Sequence, residues 1–114
     1  TKMLASSVDP ETMKKLKEKT QGKKVMVILD SDHRKGHVLK EIELYSDIVS
    51  VGQYMIVEDS DLNGHPVMPG WGKGPMEAIK AFMRTSKALN FHMDREREKF
   101  GVTFHPKGFL KRVK

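Results

Sequence analysis

The chain has 114 residues, a net charge of +6 and no cysteine. Its length predicts one domain with a modest core, and the lack of cysteine excludes disulfides and thiolate metal sites. Because no apolar run approaches a membrane span and no signal peptide is visible, we predict a cytoplasmic protein without membrane attachment. The excess of basic residues lies in a helix face and a tail without interleaved aromatic residues, which argues against a nucleic-acid partner.

The first predicted elements are a short basic helix and an apolar strand. Asp9 is placed to cap the helix and Pro10 to occupy its first position, and the helix runs to about Lys19 before "QGKK" ends it. The segment "KVMVILD" then has the uninterrupted apolar pattern of a strand that is buried on both faces of a parallel sheet.

A second helix and a second strand follow. Apolar residues recur at helical spacing in "RKGHVLKEIELYSDIV", and "SVGQ" turns the chain into the short apolar strand "YMIVED". A strand, a helix and a strand of these lengths predict a βαβ unit, whose two strands are parallel.

The rest of the chain predicts a long loop, a helix and a hairpin. The loop "SDLNGHPVMPGWGKGP" is rich in glycine and proline, and a loop of that length is usually functional or disordered. An amphipathic helix over "PMEAIKAFMRTSKAL" begins at Pro75. A charged segment and two short strands that turn at "HPKG" end the chain as an antiparallel hairpin. The predicted fold class is therefore α/β.

Acidic residues follow both predicted parallel strands. Asp30 and Asp32 end the first strand, and Glu58 and Asp59 end the second. Since the carboxyl ends of parallel strands meet at one edge, we expect the four carboxylates to converge there, where they repel one another unless a cation is bound. Oxygen ligands without a thiolate suit Mg²⁺, Ca²⁺ or Mn²⁺. Either pair alone is better explained by helix capping or a solvated loop, but the two pairs together favour a cation site.

Histidines lie close to these acids. His33 follows the first acidic pair directly and is a candidate general base, although a single histidine at a helix start is more often a surface residue. His37 comes one helical turn later and is predicted to face the same way. The two remaining histidines outside the loop, His92 and His105, are predicted to be peripheral.

Two residues of the glycine-rich loop are candidates for contact with a substrate. His65 is expected to approach the acidic edge from above, and Trp71 lies among glycines that allow the loop to close over a ligand. Packing of Trp71 onto the sheet is an equally good explanation of the same pattern.

The four acidic residues at the strand ends are also compatible with a phosphohydrolase or with a non-catalytic cation-binding module. A strand that ends in D-x-D resembles the haloacid-dehalogenase phosphohydrolases, in which Asp30 would be the nucleophile, Asp32 the acid/base and Asp59 a Mg²⁺ ligand. That family normally has Thr or Val after the second aspartate, where this chain has His33, and it has further motifs in the interval that is here a plain helix. The other reading is a non-catalytic module in which a bound cation orders the loop.

A resemblance to one family extends over nearly the whole chain. The segments that carry it are "SSVDPE", "VILDSDH", "VLKEIELYSDIVSVGQYMIVEDSDLNGHPV", "GPMEAIKAFM" and "DREREKFGVTFHPKGFLKRV". Together they closely resemble the cephalosporin hydroxylase family, which has the fold of class I S-adenosylmethionine-dependent methyltransferases and includes rhamnosyl O-methyltransferases. The resemblance implies a Rossmann-like sheet, S-adenosylmethionine as methyl donor and Mg²⁺ at the carboxyl edge, as in catechol-type O-methyltransferases.

The resemblance also assigns metal ligands. In the catechol-type enzymes, an aspartate at one strand end and, at the next, an acidic residue paired with Asp or Asn hold Mg²⁺. The matching positions are Asp30, Glu58 and Asp59, with Asp32 as a competing candidate for the first ligand.

Further roles follow from the same resemblance. His33 stands where the catechol enzymes have a catalytic lysine, which makes it or a water molecule the candidate base. The "SSVD" turn resembles one that contacts the adenine, so Ser6 and Ser7, with Asp30, are the expected cofactor-binding residues. The expected acceptor is a hydroxyl of a small molecule or a sugar, and a β-lactam acceptor would connect the protein with antibiotic biosynthesis.

The family's glycine-rich cofactor turn does not occur in this sequence. We therefore expect residues 1–114 to form the C-terminal half of a class I methyltransferase domain. An isolated half-sheet exposes an unpaired edge, so we also expect either a homo-oligomer or an N-terminal half that completes the sheet. Alone, the chain is expected to bind S-adenosylmethionine poorly.

Overall fold

The computed structural model describes residues 2–114, which form a mixed four-stranded sheet with helices packed on it. Within this range no helix is long and apolar enough to cross a membrane. The elements in chain order are α1 (Pro10–Thr20), β1 (Val27–Leu29), α2 (Lys35–Tyr45), β2 (Tyr54–Val57), α3 (Pro75–Phe82), β3 (Phe91–Met93) and β4 (Phe109–Arg112).

The sheet has the strand order β1-β2-β4-β3. β1 and β2 are parallel, with Val27 opposite Met55 and Leu29 opposite Val57, and α2 connects them. β4 pairs antiparallel with both β2 and β3. The predicted α/β class, the parallel pair and an antiparallel terminal pair are thus confirmed, whereas the half-domain of a methyltransferase stays a prediction.

The terminal hairpin differs from the prediction in the position of its first strand. The turn at "HPKG" is present, since the Gly108 amide donates to the His105 carbonyl at 2.9 Å. However, the partner strand β3 ends at Met93, and the chain between the strands includes two short 3-10 turns. Asp94 explains the early end of β3, because its carboxylate accepts from the Glu96 amide at 3.1 Å and starts the first of these turns.

The core lies on one face of the sheet. Apolar side chains of the sheet meet apolar side chains of α2 and α3 there, and their burial is the main stabilising contribution to such a layer. The sheet contributes Val27, Leu29, Met55, Val57 and Leu110, and the helices contribute Val38, Ile42, Ala78, Ile79 and Phe82. Both helices on one face hold β1 and β2 in register, so the strand ends meet at one edge.

β1 is not buried on both faces, contrary to the prediction. Ile28 is 54% exposed, although its neighbours Val27 and Leu29 are buried. β1 is an edge strand that pairs only with β2, and Ile28 lies on the sheet face opposite the core. The sequence pattern correctly identified an apolar strand, but this chain does not supply the layer that would bury its second face.

The helices begin as predicted, but α3 is shorter than predicted. Asp9 accepts from the Glu11 amide at 3.3 Å and Pro10 is the first residue of α1. α3 starts at Pro75 and ends at Phe82 rather than continuing to residue 89. The Thr85 hydroxyl donates to the Phe82 carbonyl at 2.7 Å and competes with continuation of the helix, after which a 3-10 turn leads into β3.

Candidate metal and catalytic site

The carboxyl edge of the parallel strands brings together Asp30, His33 and Asp59. Asp30 follows β1, Asp59 lies two residues after β2, and His33 is in the connection to α2. His33 Nε2 is 3.4 Å from Asp30 Oδ1 and 3.1 Å from Asp59 Oδ2. One ligand atom from each of the three residues lies within 4.8 Å of the others, an arrangement that can hold a metal ion.

The backbone of Asp59 is in a left-handed conformation, with φ of 51°. Residues other than glycine adopt this conformation at a cost, although aspartate tolerates it better than most. The conformation follows directly on the end of β2, where the chain turns towards the glycine-rich loop. Local strain of this kind is common where a side chain is directed into a functional site.

Glu58 belongs to the same edge but has a different partner. One of its carboxylate oxygens, Oε2, lies 2.8 Å from Nδ1 of His105. Burial raises the pKa of Glu58; His105 opposes this rise, and the negative charges of Asp30 and Asp59 add to it. His105 is thus not peripheral as predicted, because β4 lies beside β2 and brings the preceding "HPKG" turn to the end of β2.

Asp32 is occupied by its neighbour Arg34. Its carboxylate accepts from the Arg34 backbone amide at 3.0 Å and forms an ion pair with the guanidinium group. These contacts hold the pKa of Asp32 well below its usual range. The structure therefore brings Asp30 into the cluster with His33, whereas Asp32 fastens the start of α2.

The glycine-rich loop is fastened to the start of α3 by Glu77. His65 Nε2 lies 2.7 Å from Glu77 Oε1, and the Gly74 amide donates to Glu77 Oε2 at 2.7 Å. Burial alone would raise the pKa of Glu77, but the hydrogen bonds from Gly74, His65 and Asn63 lower it to about 2. His65 is thus held against α3, and it makes no contact with Asp30 or Asp59 among the described residues.

The end of the same loop touches the candidate site. The Lys35 amide donates to the Lys73 carbonyl at 2.9 Å, and a Cβ on Gly74 would lie 3.1 Å from the His33 carbonyl oxygen. Trp71, which is 47% exposed, lies beside Gly74. The loop therefore passes directly over the backbone of His33 and has its aromatic residue at the surface there.

The turn that contains Ser6 and Ser7 precedes α1 and packs against α2. Ser7 Oγ lies 3.2 Å from His37 Nε2, and the Tyr45 hydroxyl donates to the Ser7 carbonyl at 3.0 Å. Ser6 is exposed, and its carbonyl accepts from the Asp9 amide at 3.2 Å. His37 was predicted to face the same way as His33, whereas its side chain contacts Ser7, Ser31 and Glu41, and the sequence did not identify Ser7 as its partner.

Comparison with known proteins finds a family model and several curated relatives that match this chain. The family model described as rhamnosyl O-methyltransferase/CmcI matches residues 1–113. Proteins named rhamnosyl O-methyltransferase from Mycobacterium tuberculosis (strain H37Rv) and Mycobacterium bovis (strain BCG Pasteur) are each 48% identical over 110 residues, which is 93% of this chain and 44% of theirs. The protein of that name from Mycobacterium leprae is 45% identical over 100 residues, covering 88% of this chain and 43% of its own.

No solved structure matches the chain. The chain spans less than half the length of these curated relatives. The match to the family model nevertheless covers almost every residue, including both strand ends and the glycine-rich loop that follows β2. The resemblance noted in the sequence is confirmed, and the chain belongs to the rhamnosyl O-methyltransferase/CmcI family.

Proposed function

We propose that the chain is the metal-binding half of an S-adenosylmethionine-dependent, Mg²⁺-assisted O-methyltransferase that acts on a hydroxyl of a small molecule or sugar. The observation that carries this proposal is the meeting of Asp30, His33 and Asp59 at the carboxyl edge of two parallel strands. Open α/β sheets bind their ligands at that edge. Membership in a family whose relatives are named O-methyltransferases supplies the reaction type.

The residues at this edge fit a divalent cation. Asp30 and Asp59 provide oxygen ligands from two strands, and two carboxylates this close favour a cation between them. Glu58 is the third ligand that the family resemblance implies, and it would have to exchange its contact with His105 for the metal. A bound Mg²⁺ supplies charge that lowers the pKa of a substrate hydroxyl.

His33 is the proposed general base. Its imidazole lies beside both carboxylates at the edge where we propose that the substrate hydroxyl binds, which makes it the candidate to accept the hydroxyl proton. In the transfer, the substrate oxygen forms a bond to the methyl carbon while the bond from that carbon to the sulfonium sulfur breaks. The hydroxyl proton passes to His33, and the pair of carboxylates stabilises the imidazolium that results.

The methyl donor is proposed to lie between the acidic edge and the Ser6–Ser7 turn. This turn is connected to the edge, because His37 lies 3.2 Å from Ser7 Oγ and 3.1 Å from Ser31 Oγ, and Ser31 follows Asp30 directly. The hydroxyl groups of Ser6 and Ser7 suit the polar base and ribose of a nucleoside. Trp71 is then placed to shield the reacting atoms from water.

The proposal includes a partner for the sheet. β1 has an open edge, and Ile28 is half-exposed on the sheet face opposite the core. A parallel strand normally has neighbours and helices on both sides. We therefore propose that further strands of the full-length protein, or a second copy of this chain, complete the sheet at β1.

The test is calorimetric titration of the full-length protein with S-adenosylmethionine and Mg²⁺, followed by a methyl-transfer assay on sugar and small-molecule alcohols. Binding of both, with transfer abolished in Asp59→Asn, is the expected result. The matched control is Asp47→Asn, which removes an exposed carboxylate that pairs with Lys17 and Lys87. Absence of binding of both ligands contradicts the proposal, and hydrolysis of p-nitrophenyl phosphate that is lost in Asp30→Asn would indicate a phosphohydrolase instead.

A further inference from the structure

One side of α2 carries a row of polar residues at four-residue spacing. His37, Glu41 and Tyr45 follow one another at i, i+4 and i+8, which places them on the same face of the helix. The apolar residues Val38 and Ile42 face the sheet and belong to the core. The row borders the core, against which the Tyr45 ring packs, and its polar atoms contact the N-terminal segment and the loop after β1.

The two ends of this row hold the same residue, Ser7. His37 Nε2 lies 3.2 Å from the Ser7 hydroxyl oxygen, and the Tyr45 hydroxyl donates to the Ser7 carbonyl at 3.0 Å. One contact fixes the side chain and the other the backbone. Since Ser7 precedes α1, the position of its turn relative to α2 depends on these two contacts.

Glu41, in the middle of the row, connects it to the loop after β1. The Ser31 hydroxyl donates to Glu41 Oε1 at 2.8 Å, and His37 Nε2 lies 3.4 Å from the same oxygen and 3.1 Å from Ser31 Oγ. His37 Nε2 thus lies within hydrogen-bond distance of both the Ser7 and the Ser31 hydroxyl oxygens. Ser7 and Ser31 are thereby joined through a single imidazole nitrogen.

The burial of Glu41 is difficult to explain by stability alone. The residue is 2% exposed, and its second oxygen, Oε2, is buried without a hydrogen-bond partner. An unpaired buried carboxylate oxygen opposes folding, and an apolar residue of similar size would avoid that cost. A glutamate at this position is better explained by what it orients, namely His37 and Ser31.

We propose that His37, Glu41 and Tyr45 are positioning residues that fix the Ser6–Ser7 turn at a set distance from the acidic edge. The inference rests on the proposed function, because the ligand placed by this turn is the nucleoside of the methyl donor. Ser31 adjoins Asp30, so the same contacts that hold Ser7 also fix the loop that carries a proposed metal ligand. The row acts through Ser7 and Ser31 and does not touch the reacting atoms.

Amide hydrogen exchange tests the contact in this chain without any ligand. The Asp9 amide donates to the Ser6 carbonyl and reports closure of the turn. His37→Ala and Tyr45→Phe are each expected to speed its exchange about fivefold, the effect of losing one net hydrogen bond. His37→Gln, which keeps a donor, should restore slow exchange. The control is His92→Ala, which removes an exposed histidine on β3.

Ligand binding tests the positioning role in the full-length protein. Titration with S-adenosylhomocysteine is expected to show about fivefold weaker binding in His37→Ala and Tyr45→Phe, again the size of one hydrogen bond, and recovery in His37→Gln. The affinity for Mn²⁺ should stay unchanged, because neither variant removes a metal ligand and in both the Ser31 hydroxyl still donates to Glu41, which keeps the loop with Asp30 in place. KM for the methyl donor should rise while kcat changes little.

The two experiments separate the failure of this inference from the failure of the proposed function. Exchange at Asp9 that is the same in the wild type, His37→Ala and Tyr45→Phe overturns the contact, whatever the chain binds. Equal losses of nucleoside and Mn²⁺ affinity overturn the positioning role, because they indicate a general disturbance of the fold. A wild-type protein that binds no S-adenosylhomocysteine contradicts the proposed function and with it the nucleoside as ligand, while exchange still decides whether the row holds the turn.

Discussion

His33 Nε2 lies 3.1 Å from Asp59 Oδ2, although 26 positions separate the two residues along the chain. The parallel pairing of β1 and β2 produces this proximity, because it brings the end of each strand to the same edge. Asp30 Oδ1 lies 3.4 Å from the same nitrogen. The imidazole thus occupies a position between two carboxylates where a cation is also favourable.

The first prediction concerns metal binding at this edge. Asp59→Asn removes one of the two charges that face each other across His33 and should weaken Mn²⁺ binding at least about tenfold, since even residues behind the ligands have effects of that size. Electron paramagnetic resonance of free Mn²⁺ measures the change, and excess Mg²⁺ should compete. Asp47→Asn, at an exposed ion pair, should bind like the wild type; equal affinity in all three proteins would contradict the site.

The second prediction compares two glycines. A Cβ on Gly108 would lie 2.4 Å from the Val57 carbonyl oxygen, whereas a Cβ on Gly36 in α2 meets no atom within 4 Å. Gly108→Ala should therefore lower the free energy of unfolding by about 1–3 kcal/mol, as overpacking does. Gly36→Ala should raise it by roughly 0.5–1 kcal/mol, because alanine favours the helix. Urea unfolding followed by circular dichroism measures both changes, and a Gly108→Ala variant as stable as Gly36→Ala would show that β4 does not approach β2 this closely.

Local patterns in the sequence were sufficient to predict that Asp30 and Asp59 meet. The apolar strands and the helix between them define a βαβ unit, and that topology alone brings the strand ends together. The position of His105 was not predictable in this way. It depends on the insertion of β4 between β2 and β3, which is a long-range pairing that no local pattern near "HPKG" reports.

The sequence pattern also could not predict which of the two aspartates after β1 lies beside His33. Asp30 and Asp32 are equivalent in a D-x-D motif, but Arg34 pairs with Asp32 and leaves Asp30 beside His33. The exposure of Ile28 has a different origin. An apolar sequence pattern predicts that the side chains of a strand are buried on both faces. The exposure of Ile28 depends instead on which helices and strands pack on the second face, and the pattern does not report that.

The third prediction is the pH dependence of the contact between the loop and α3. The pKa of Glu77 falls from 4.5 to about 2 on folding, so the ionised form is stabilised in the folded chain. Its contribution, about 1–2 kcal/mol for a partly exposed group, is complete above pH 4.5 and is lost as the pH falls towards 2. Glu77→Gln should therefore be less stable than the wild type at pH 6, and the difference should vanish near pH 2.

Urea unfolding at several pH values measures this difference. Glu18→Gln, on the exposed side of α1, is the matched control and should follow the wild type at every pH. A difference between the wild type and Glu77→Gln that stays constant from pH 6 to pH 2 would show that the hydrogen bonds from Gly74 and His65 do not depend on the charge of Glu77.

The fourth prediction concerns the open edge of the sheet. β1 has one unpaired side, and Ile28 presents a half-exposed apolar side chain beside it. Unpaired strands with apolar side chains associate with one another, and a charged residue at such an edge prevents this. The 114-residue chain should therefore self-associate as its concentration rises, and Ile28→Lys should shift it towards the monomer in sedimentation velocity. Leu89→Lys, which adds the same charge at an exposed apolar residue outside the sheet, should not; an equal shift in both variants would mean that net charge, and not the edge of β1, controls association.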